Sequence, residues 1–413
     1  MDSSQGRRPR VVIVGAGFGG LAAARALRRA EAEIFLIDRT NHHLFQPLLY
    51  QVATAVLSPA DVATAVRPLL RPQRNTTMLM AEVTRVDTEA RLVRLAGDAT
   101  LPYDWLILAT GADYSFFGRP ELAQHVHVLK TLSDALTVRE KLLTAFEQAE
   151  LAPDEDAVRR LTTFVVVGGG PTGVEIAGTV AEMVRTTLRC DFRRIDPTRS
   201  RVLLFEEGPR VLSAFPQHLS DYACRALSDL GVEVRPGTAV ETIGDGWVQV
   251  GGERIEAALT FWCAGVQARP AARWLGVPQA RNGGVVVGPD CSAPGLPEVF
   301  VVGDVSHHAH EGGPLPALAP VARQQGRWVG RLIARRIAGR PDPVPFRYRD
   351  WGTMAVIGRS RAVALLGGRR LKGVPAWLTW SLVHLMLLID FRSRATVYVN
   401  WTWAWFTRGG GPG

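Results

Sequence analysis

Residues 11–20 read Val-Val-Ile-Val-Gly-Ala-Gly-Phe-Gly-Gly, an apolar run that ends in a cluster of glycines. Residues 21–27 then have the composition of a helix, and a second apolar run at 34–37 ends in Asp38. This order predicts a βαβ unit, whose glycines make a tight turn, admit a phosphate group to the backbone and let the helix pack on the strand. We therefore expect an α/β fold that begins at residue 11.

The same pattern occurs a second time. Residues 164–173 read Phe-Val-Val-Val-Gly-Gly-Gly-Pro-Thr-Gly, and a later apolar run at 202–205 ends in Glu206. A carboxylate at this position of such a unit accepts hydrogen bonds from a ribose. One glycine cluster could be an ordinary loop, whereas two copies with strand, helix and terminal acid in the same order predict two Rossmann-like dinucleotide-binding domains.

Three more apolar runs end in small residues. Residues 105–108 lead into Ala109-Thr110-Gly111, residues 260–263 into Ala264-Gly265, and residues 299–302 into Gly303-Asp304. With these strands the sequence resembles the flavoproteins that have two dinucleotide-binding domains. The resemblance implies an FAD domain of residues 1–125 and 266–350, an NAD(P)H domain of residues 126–265, and a C-terminal region of residues 351–413.

The charge of the chain is concentrated at its end. The formal net charge is +9, and residues 351–413 carry eight Arg or Lys against the single acid Asp390. This position favours a membrane surface and not nucleic acid as the anionic partner. The four cysteines are far apart and lack metal-ligand or dithiol spacing, so we expect no metal site, no dithiol relay and a reducing compartment.

Within these flavoproteins, four stretches of the sequence resemble one family, the type II NADH dehydrogenases. These stretches are residues 41–55, 169–175, 191–197 and 346–352. The resemblance implies transfer of a hydride from NADH to FAD and of two electrons to a membrane quinone, without proton pumping. It also implies a homodimer at the cytoplasmic face of the plasma membrane. The alternatives are a soluble NAD(P)H-dependent flavin reductase with a protein or biosynthetic acceptor, and a nucleotide-sensing flavoprotein.

The resemblance implies which side chains meet the acceptor and the nicotinamide. In the family a motif A-Q-x-A-x-Q lines the quinone side, and here Gln324 matches its second glutamine while Pro320 replaces its first. Gln324 and Gln325 could instead form an ordinary helix surface. Glu175 is expected to face the nicotinamide and the flavin and to relay protons. Alternatively, it is only a carboxylate placed at a helix N-terminus.

The expected cofactor-binding residues form two groups. An acid at position 206 favours NADH over NADPH, although Arg210 is near enough to leave this open. The His42-His43 pair could suggest a metal, but we favour a packed loop over the flavin. The residues expected to bind FAD are Gly15, Gly17, Phe18, Gly19, Gly20, Asp38, Arg39, Gln46, Pro47, Val83, Ala109, Thr110, Gly111, Gly303 and Asp304. Those expected to bind NADH are Gly168, Gly170, Pro171, Thr172, Gly173, Glu175, Glu206 and Gly265.

The tail has the composition of a membrane anchor. Residues 374–389 carry no formal charge, but they are fewer than the roughly 20 apolar residues of a spanning helix. Basic residues flank this run, and five of the eleven tryptophans follow residue 376. We therefore expect a peripheral, monotopic segment lying in the membrane surface. A buried dimerisation or capping segment is the alternative, and the alternation of Trp401, Trp403 and Trp405 is equally compatible with a strand.

Overall fold

The computed structural model describes residues 7–310 and 313–406. The chain forms two compact units. The first comprises Met1–His43, Ala65–Asp113 and Val266–Asp350, and the second comprises Leu44–Thr64, Tyr114–Gly265 and Trp351–Gly413. Residues 44–64, 114–125 and 351–406 therefore lie in the second unit, which differs from the expected bounds. Which cofactor each unit binds stays a prediction.

The elements are numbered in chain order. The strands are β1 Arg10–Val14, β2 Glu33–Asp38, β3 His42–Leu44, β4 Ala63–Ala65, β5 Thr76–Met80, β6 Val83–Asp87, β7 Leu92–Leu95, β8 Thr100–Pro102, β9 Trp105–Leu108, β10 Ala112–Tyr114, β11 Thr163–Val167, β12 Arg201–Glu206, β13 Val232–Pro236, β14 Thr242–Gly244, β15 Trp247–Val250, β16 Glu253–Glu256, β17 Leu259–Trp262, β18 Val266–Ala268, β19 Val285–Val287, β20 Ser292–Ala293, β21 Leu296–Val301, β22 Ser306–His310, β23 Gly313–Pro314, β24 Thr353–Gly358, β25 Arg361–Leu366 and β26 Arg369–Lys372. The α-helices are α1 Phe18–Ala26, α2 Leu49–Ala53, α3 Pro59–Val62, α4 Val66–Leu70, α5 Leu132–Glu150, α6 Glu155–Leu161, α7 Pro171–Glu182, α8 Gln217–Asp229, α9 Ala271–Leu275, α10 Ala319–Ile337, α11 Val374–Leu387 and α12 Phe391–Phe406.

The first unit is built on a six-stranded sheet in the order β20-β21-β9-β1-β2-β5. All neighbouring pairs are parallel except β20 with β21. The apolar run that opens the chain becomes β1 at the centre of the sheet, where Val11, Val12 and Ile13 are fully buried. A continuous apolar run is typical of a strand that helices or sheets cover on both faces.

Helices α1 and α10 pack closely in the first unit because α10 carries glycines at the contact. A Cβ atom on Gly326 would lie 2.0 Å from the carbonyl oxygen of Gly19, and one on Gly330 would lie 2.6 Å from that of Ala23. Only residues without a side chain allow this approach. The contact fixes the helix that follows Gly303-Asp304 against the helix that follows the first glycine motif.

The second unit contains a four-stranded parallel sheet in the order β13-β12-β11-β17. The two strands predicted from the second glycine motif are adjacent, with Val165 opposite Leu203. Strand β17 lies on the other side of β11, so the strand order reverses at the end of β11. In sheets of this kind a ligand binds outside the carboxyl ends of the strands at that point. The predicted α/β fold with two Rossmann-like domains is confirmed.

The C-terminal part of the second unit begins with an antiparallel sheet, β24-β25-β26, before its two helices. Helix α11 packs on β25, with Trp380 buried. The alternating tryptophans Trp401 and Trp403 lie on helix α12, so the strand alternative is wrong. In residues 7–310 and 313–406 every helix is too short or too polar to cross a bilayer.

Candidate active site

The first glycine motif forms an open cradle at the end of β1. Gly15 has a φ of +104°, and a Cβ atom there would lie 2.3 Å from the carbonyl oxygen of Ala109. A Cβ on Gly20 would lie 1.8 Å from the carbonyl oxygen of Gly15. Gly17, in contrast, has open space on its Cβ side. The outer glycines thus permit the turn and the helix packing, and the middle one leaves room for a phosphate group.

Asp38 is held against this cradle by backbone groups. The N–H of Ala16 donates to Oδ2 of Asp38 at 2.7 Å, and the N–H of Thr40 donates to Oδ1 at 2.8 Å. The next residue, Arg39, is exposed, and Val83 is buried at the start of β6. The carboxylate is therefore fixed beside the open face of the loop, where a ribose would reach it.

The other expected FAD residues lie at the carboxyl ends of the neighbouring strands. Gly111 and Gly303 both have positive φ, at +71° and +77°. The hydroxyl of Thr110 is buried without a hydrogen-bond partner among the described residues. A cavity of about 210 Å³ opens beside Asp304. An unsatisfied hydroxyl and open space at the strand ends fit a polar ligand such as FAD.

His43 packs under the first cradle, against Ala16 and Phe18. Its Nδ1 lies 3.0 Å from the carbonyl oxygen of Ala16, and its ring meets Phe18 edge-on at 4.9 Å between centroids. Burial lowers the pKa of His43 to about 4, so the ring is neutral and Nδ1 donates its hydrogen. Among the described residues, His, Cys, Asp and Glu form no group that could hold a metal ion.

The second glycine motif repeats the geometry of the first at the end of β11. Gly168 has a φ of +105°, and a Cβ there would lie 2.8 Å from the carbonyl oxygen of Cys263. A Cβ on Gly173 would lie 1.8 Å from the carbonyl oxygen of Gly168, whereas Gly170 faces open space. Pro171 and Thr172 are exposed in the first turn of α7, so the N-terminus of this helix is free to stabilise phosphate groups.

Glu206 holds the second cradle as Asp38 holds the first. The N–H of Gly169 donates to Oε2 of Glu206 at 2.5 Å, and the N–H of Gly208 donates to Oε1 at 2.7 Å. Arg210 donates to the carbonyl oxygen of Ser213 at 2.9 Å. The guanidinium of Arg210 thus already has a backbone partner. This supports Glu206, and not Arg210, as the residue that contacts the ribose.

Glu175 lies on the first turns of α7 and is half-buried. The backbone N–H of Val356 in β24 donates to its carboxylate, but burial has the larger effect and raises the pKa of Glu175 from 4.5 to about 8. Cys263 is half-buried; desolvation, with a smaller effect of the Glu175 charge, raises the pKa of its thiol to about 12. At neutral pH Glu175 therefore carries a proton, and Cys263 is an unreactive neutral thiol.

The C-terminal sheet holds α7 at two further positions. A Cβ on Gly178 would lie 1.7 Å from the carbonyl oxygen of Ile357. One turn later, Glu182 accepts a hydrogen bond from the N–H of Arg359 at 2.9 Å and pairs with its guanidinium at 3.1 Å. The sequence analysis missed this role of β24. The apolar run 354–357 followed by Gly358 was the available signal for a buried strand.

The glutamines expected at the acceptor already have backbone partners. Gln324 donates to the carbonyl oxygen of Arg349 at 2.9 Å and accepts from its N–H at 3.0 Å. Gln325 is fully buried, and its Oε1 accepts from the N–H of Gly303 at 2.7 Å. Gln325 is thus not on the helix surface. Its amide holds the turn before Asp304, and the contact of either glutamine with an acceptor stays a prediction.

Three further expected cofactor residues, Gln46, Pro47 and Gly265, also lie in the second unit. Gln46 is exposed and donates to the carbonyl oxygen of Lys130 at 3.2 Å, and Pro47 follows it in a short 3-10 helix. Gly265, two residues after Cys263, has a φ of +76°. Gly265 thus follows the end of β17, beside the point where the strand order reverses.

Comparison with known proteins agrees with this geometry. Residues 9–326 match the family of pyridine nucleotide-disulphide oxidoreductases. The chain is 44% identical to the type II NADH:quinone oxidoreductase Ndh of Mycobacterium tuberculosis, over 96% of this chain and 88% of the relative. It is 42% identical to NdhA of the same organism, over 97% and 87%. The chain belongs to the type II NADH:quinone oxidoreductases. The predicted family is confirmed.

A solved structure of this family has the same fold. The NDH2 of Plasmodium falciparum in complex with NADH superposes with a TM-score of 0.88 and 20% identity, covering 97% of this chain and 99% of that chain. The sulfide:quinone oxidoreductase of Aquifex aeolicus is less similar, with a TM-score of 0.73 and 18% identity over 97% and 96%. These likenesses show the fold, including the C-terminal sheet and helices as part of it.

Proposed function

We propose that this chain is an FAD-dependent NADH:quinone oxidoreductase that acts without proton pumping. The observation that carries the proposal is the pair of glycine cradles, each at the end of a parallel strand of its own sheet and each with a carboxylate bound to its loop. A family member that is 44% identical over nearly the whole chain is a type II NADH:quinone oxidoreductase. Bound FAD would supply the chemistry, because a flavin accepts a hydride and passes electrons on singly or in pairs.

The two cradles divide the nucleotides between them. FAD would be held by Gly15, Gly17, Gly20, Asp38, Thr110 and Asp304, and NADH by Gly168, Gly170, Gly173, Glu206 and Gly265. Glu206 accepts from two backbone donors and leaves its outer lone pairs for a ribose hydroxyl. A 2′-phosphate there would meet a like charge, which supports NADH over NADPH.

Glu175 would hold a proton near the reacting groups. Its pKa of about 8 keeps it protonated at neutral pH, so it can donate when electrons arrive at a neighbouring acceptor and recover a proton from solvent. Gln324 and Gln325 would line the approach of the quinone, with Pro320 in place of a further amide. Both amides have backbone partners, so each would offer only its remaining hydrogen-bonding capacity.

The membrane surface is the proposed location, through helix α11. Val374, Leu378, Leu382 and Met386 follow one another every four residues and are exposed, while Trp380 on the opposite side is buried. Three exposed cations precede the helix: Arg369, Arg370 and Lys372. An apolar stripe with flanking cations supports a helix that lies in the plane of an anionic bilayer. A homodimer at the cytoplasmic face is part of the proposal and is supported only by the family resemblance.

Anaerobic half-reactions test the function directly. We expect NADH to bleach the flavin absorbance of the purified protein, and a ubiquinone or menaquinone analogue to restore it. Bleaching without reoxidation by any quinone would favour a nucleotide-sensing flavoprotein. Reoxidation by a ferredoxin-like protein but not by quinones would favour a soluble reductase.

A further inference from the structure

Helix α12 is hydrogen-bonded to residues 44–64, which follow the first cradle in sequence. The indole N–H of Trp401 donates to Oε1 of Gln51 at 2.8 Å, and Nδ2 of Asn400 donates to Oδ2 of Asp61 at 3.2 Å. Ahead of the helix, Oγ1 of Thr64 donates to Asp390 at 2.8 Å. The proposed membrane-binding end of the chain is thus attached to α2 and α3 by side-chain hydrogen bonds.

The bond from Trp401 fixes the direction of the next one. An indole N–H can only donate, so the amide oxygen of Gln51 must face it and the amide nitrogen must face away. That nitrogen donates to the hydroxyl oxygen of Tyr50 at 3.0 Å. Gln51 and Tyr50 are both buried. Because its oxygen already accepts from Gln51, the Tyr50 hydroxyl can turn its own hydrogen onward.

Tyr50 and Glu175 are carried by two helices that pack together. Helix α2, which carries Tyr50, packs against α7. Burial raises the pKa of Tyr50, and the charge of Glu175 raises it further. The other ionisable groups here are Cys263, which also feels Glu175, and Glu182, whose charge reaches Tyr50. Glu182 is paired with the Arg359 guanidinium at 3.1 Å, whereas the Glu175 carboxylate itself accepts from the neutral N–H of Val356.

We propose that Tyr50 is a positioning residue for Glu175. Its hydroxyl donates through one bridging water toward the Glu175 carboxylate, and the Trp401–Gln51 pair holds the hydroxyl in that orientation. Each donor in such a chain strengthens the next, so helix α12 adjusts the acidity of Glu175 from a distance. The inference depends on the proposed function in one respect only, which is the use of the Glu175 proton in the reaction.

Infrared titration of the holoenzyme tests the inference without turnover. The carbonyl band of the protonated Glu175, identified by its loss in Glu175→Gln, reports the pKa of this group. Tyr50→Phe removes a donor to the carboxylate, so we expect the pKa to rise by about 1 unit. Trp401→Phe should raise it by less. Tyr103→Phe, which removes another buried hydroxyl that has no partner in the described chain, should leave it unchanged.

The double variant Tyr50→Phe with Trp401→Phe tests whether Trp401 acts on Glu175 through Tyr50 or whether the two substitutions loosen the structure independently. If Trp401 acts through Tyr50, the double variant has the pKa of Tyr50→Phe alone, whereas independent effects add. An unshifted titration in Tyr50→Phe, or full additivity, overturns the inference. Wild-type flavin that NADH fails to bleach would instead overturn the proposed function, and the band would still titrate.

Discussion

A Cβ atom on Gly178 would lie 1.7 Å from the carbonyl oxygen of Ile357. Helix α7 of the second cradle and strand β24 of the C-terminal sheet are therefore in backbone contact. The same strand supplies the Val356 N–H that donates to Glu175. Residues 351–372 are thus part of the second unit, and the proposed membrane region is confined to the helices that follow.

The first prediction concerns this contact. Gly178→Ala improves helix propensity by roughly 1 kcal/mol, yet the added methyl group must push β24 away from α7. We expect a lower melting temperature and weaker NADH binding, because Val356 moves away from Glu175. Ala181→Gly on the same helix is the control, since it costs propensity without a clash. A Gly178→Ala protein as stable as wild type would contradict the contact.

The second prediction tests whether the first cradle binds FAD and the second binds NADH. In Gly20→Ala and Gly173→Ala the new methyl group meets a carbonyl oxygen at 1.8 Å, in the first and the second motif respectively. We expect Gly20→Ala to be purified with little flavin, and Gly173→Ala to keep its flavin but to be bleached slowly by NADH. The ratio of flavin to protein absorbance and the bleaching rate are the measurements. Equal flavin contents in the two variants would reject the division.

The third prediction tests the acid of the second cradle. Glu206→Ala removes two hydrogen bonds to backbone N–H groups and the proposed ribose contact. Hydrogen bonds to a charged group contribute about 1.5 to 3 kcal/mol each, so we expect the KM for NADH to rise about tenfold or more. The neighbouring Glu207 is exposed, and Glu207→Ala is the matched control. A similar rise in both variants would argue against a specific contact.

The fourth prediction concerns pH and stability. The pKa of Glu175 is raised from 4.5 to about 8 in the folded protein, so between these values the folded state keeps a proton that the unfolded state has lost. This group's contribution to stability therefore falls as pH rises through the window. We expect the melting temperature of Glu175→Gln, relative to wild type, to increase from about pH 5 to about pH 8. The exposed Glu256→Gln should show no such trend.

The fifth prediction tests the membrane surface. Replacing Leu378, Leu382 and Met386 together by serine removes three exposed apolar side chains from α11. Burial of a large apolar side chain contributes about 1.5 kcal/mol or more, so binding to anionic vesicles should fall more than tenfold. Serine at Leu136, Leu151 and Val344, which are exposed apolar residues elsewhere, provides the control. Vesicle binding that survives the α11 changes would point to another surface.

The sequence predicts the two cradles well because their chemistry is local. Gly15, Gly20 and Asp38 are each required by a turn, a close approach or a backbone hydrogen bond within one βαβ unit. Long-range contacts leave no such local trace. The attachment of Gln51 to α12, and of Glu175 to β24, joins residues that are far apart in sequence.

The tail shows a second limit. Alternating tryptophans at 401, 403 and 405 satisfy a period of two, yet the segment around them is helical. Trp401 donates to Gln51, and Trp403 is exposed. Because Trp401 contacts a partner while Trp403 faces solvent, their spacing need not follow the period of a helix that has one apolar face. The sequence also could not show what the side-chain amides of Gln324 and Gln325 contact, because their partners are backbone groups.

The packing of β24 on α7 also determines when, during synthesis of the chain, the second unit can finish folding. When the ribosome has completed the second glycine motif, the strand that must lie against Gly178 and Glu182 is still about 180 residues from being made. The second unit therefore reaches its final form only after nearly the whole chain has emerged. Any truncation that reaches β24 would leave this unit unfinished, and would not merely remove the two C-terminal helices.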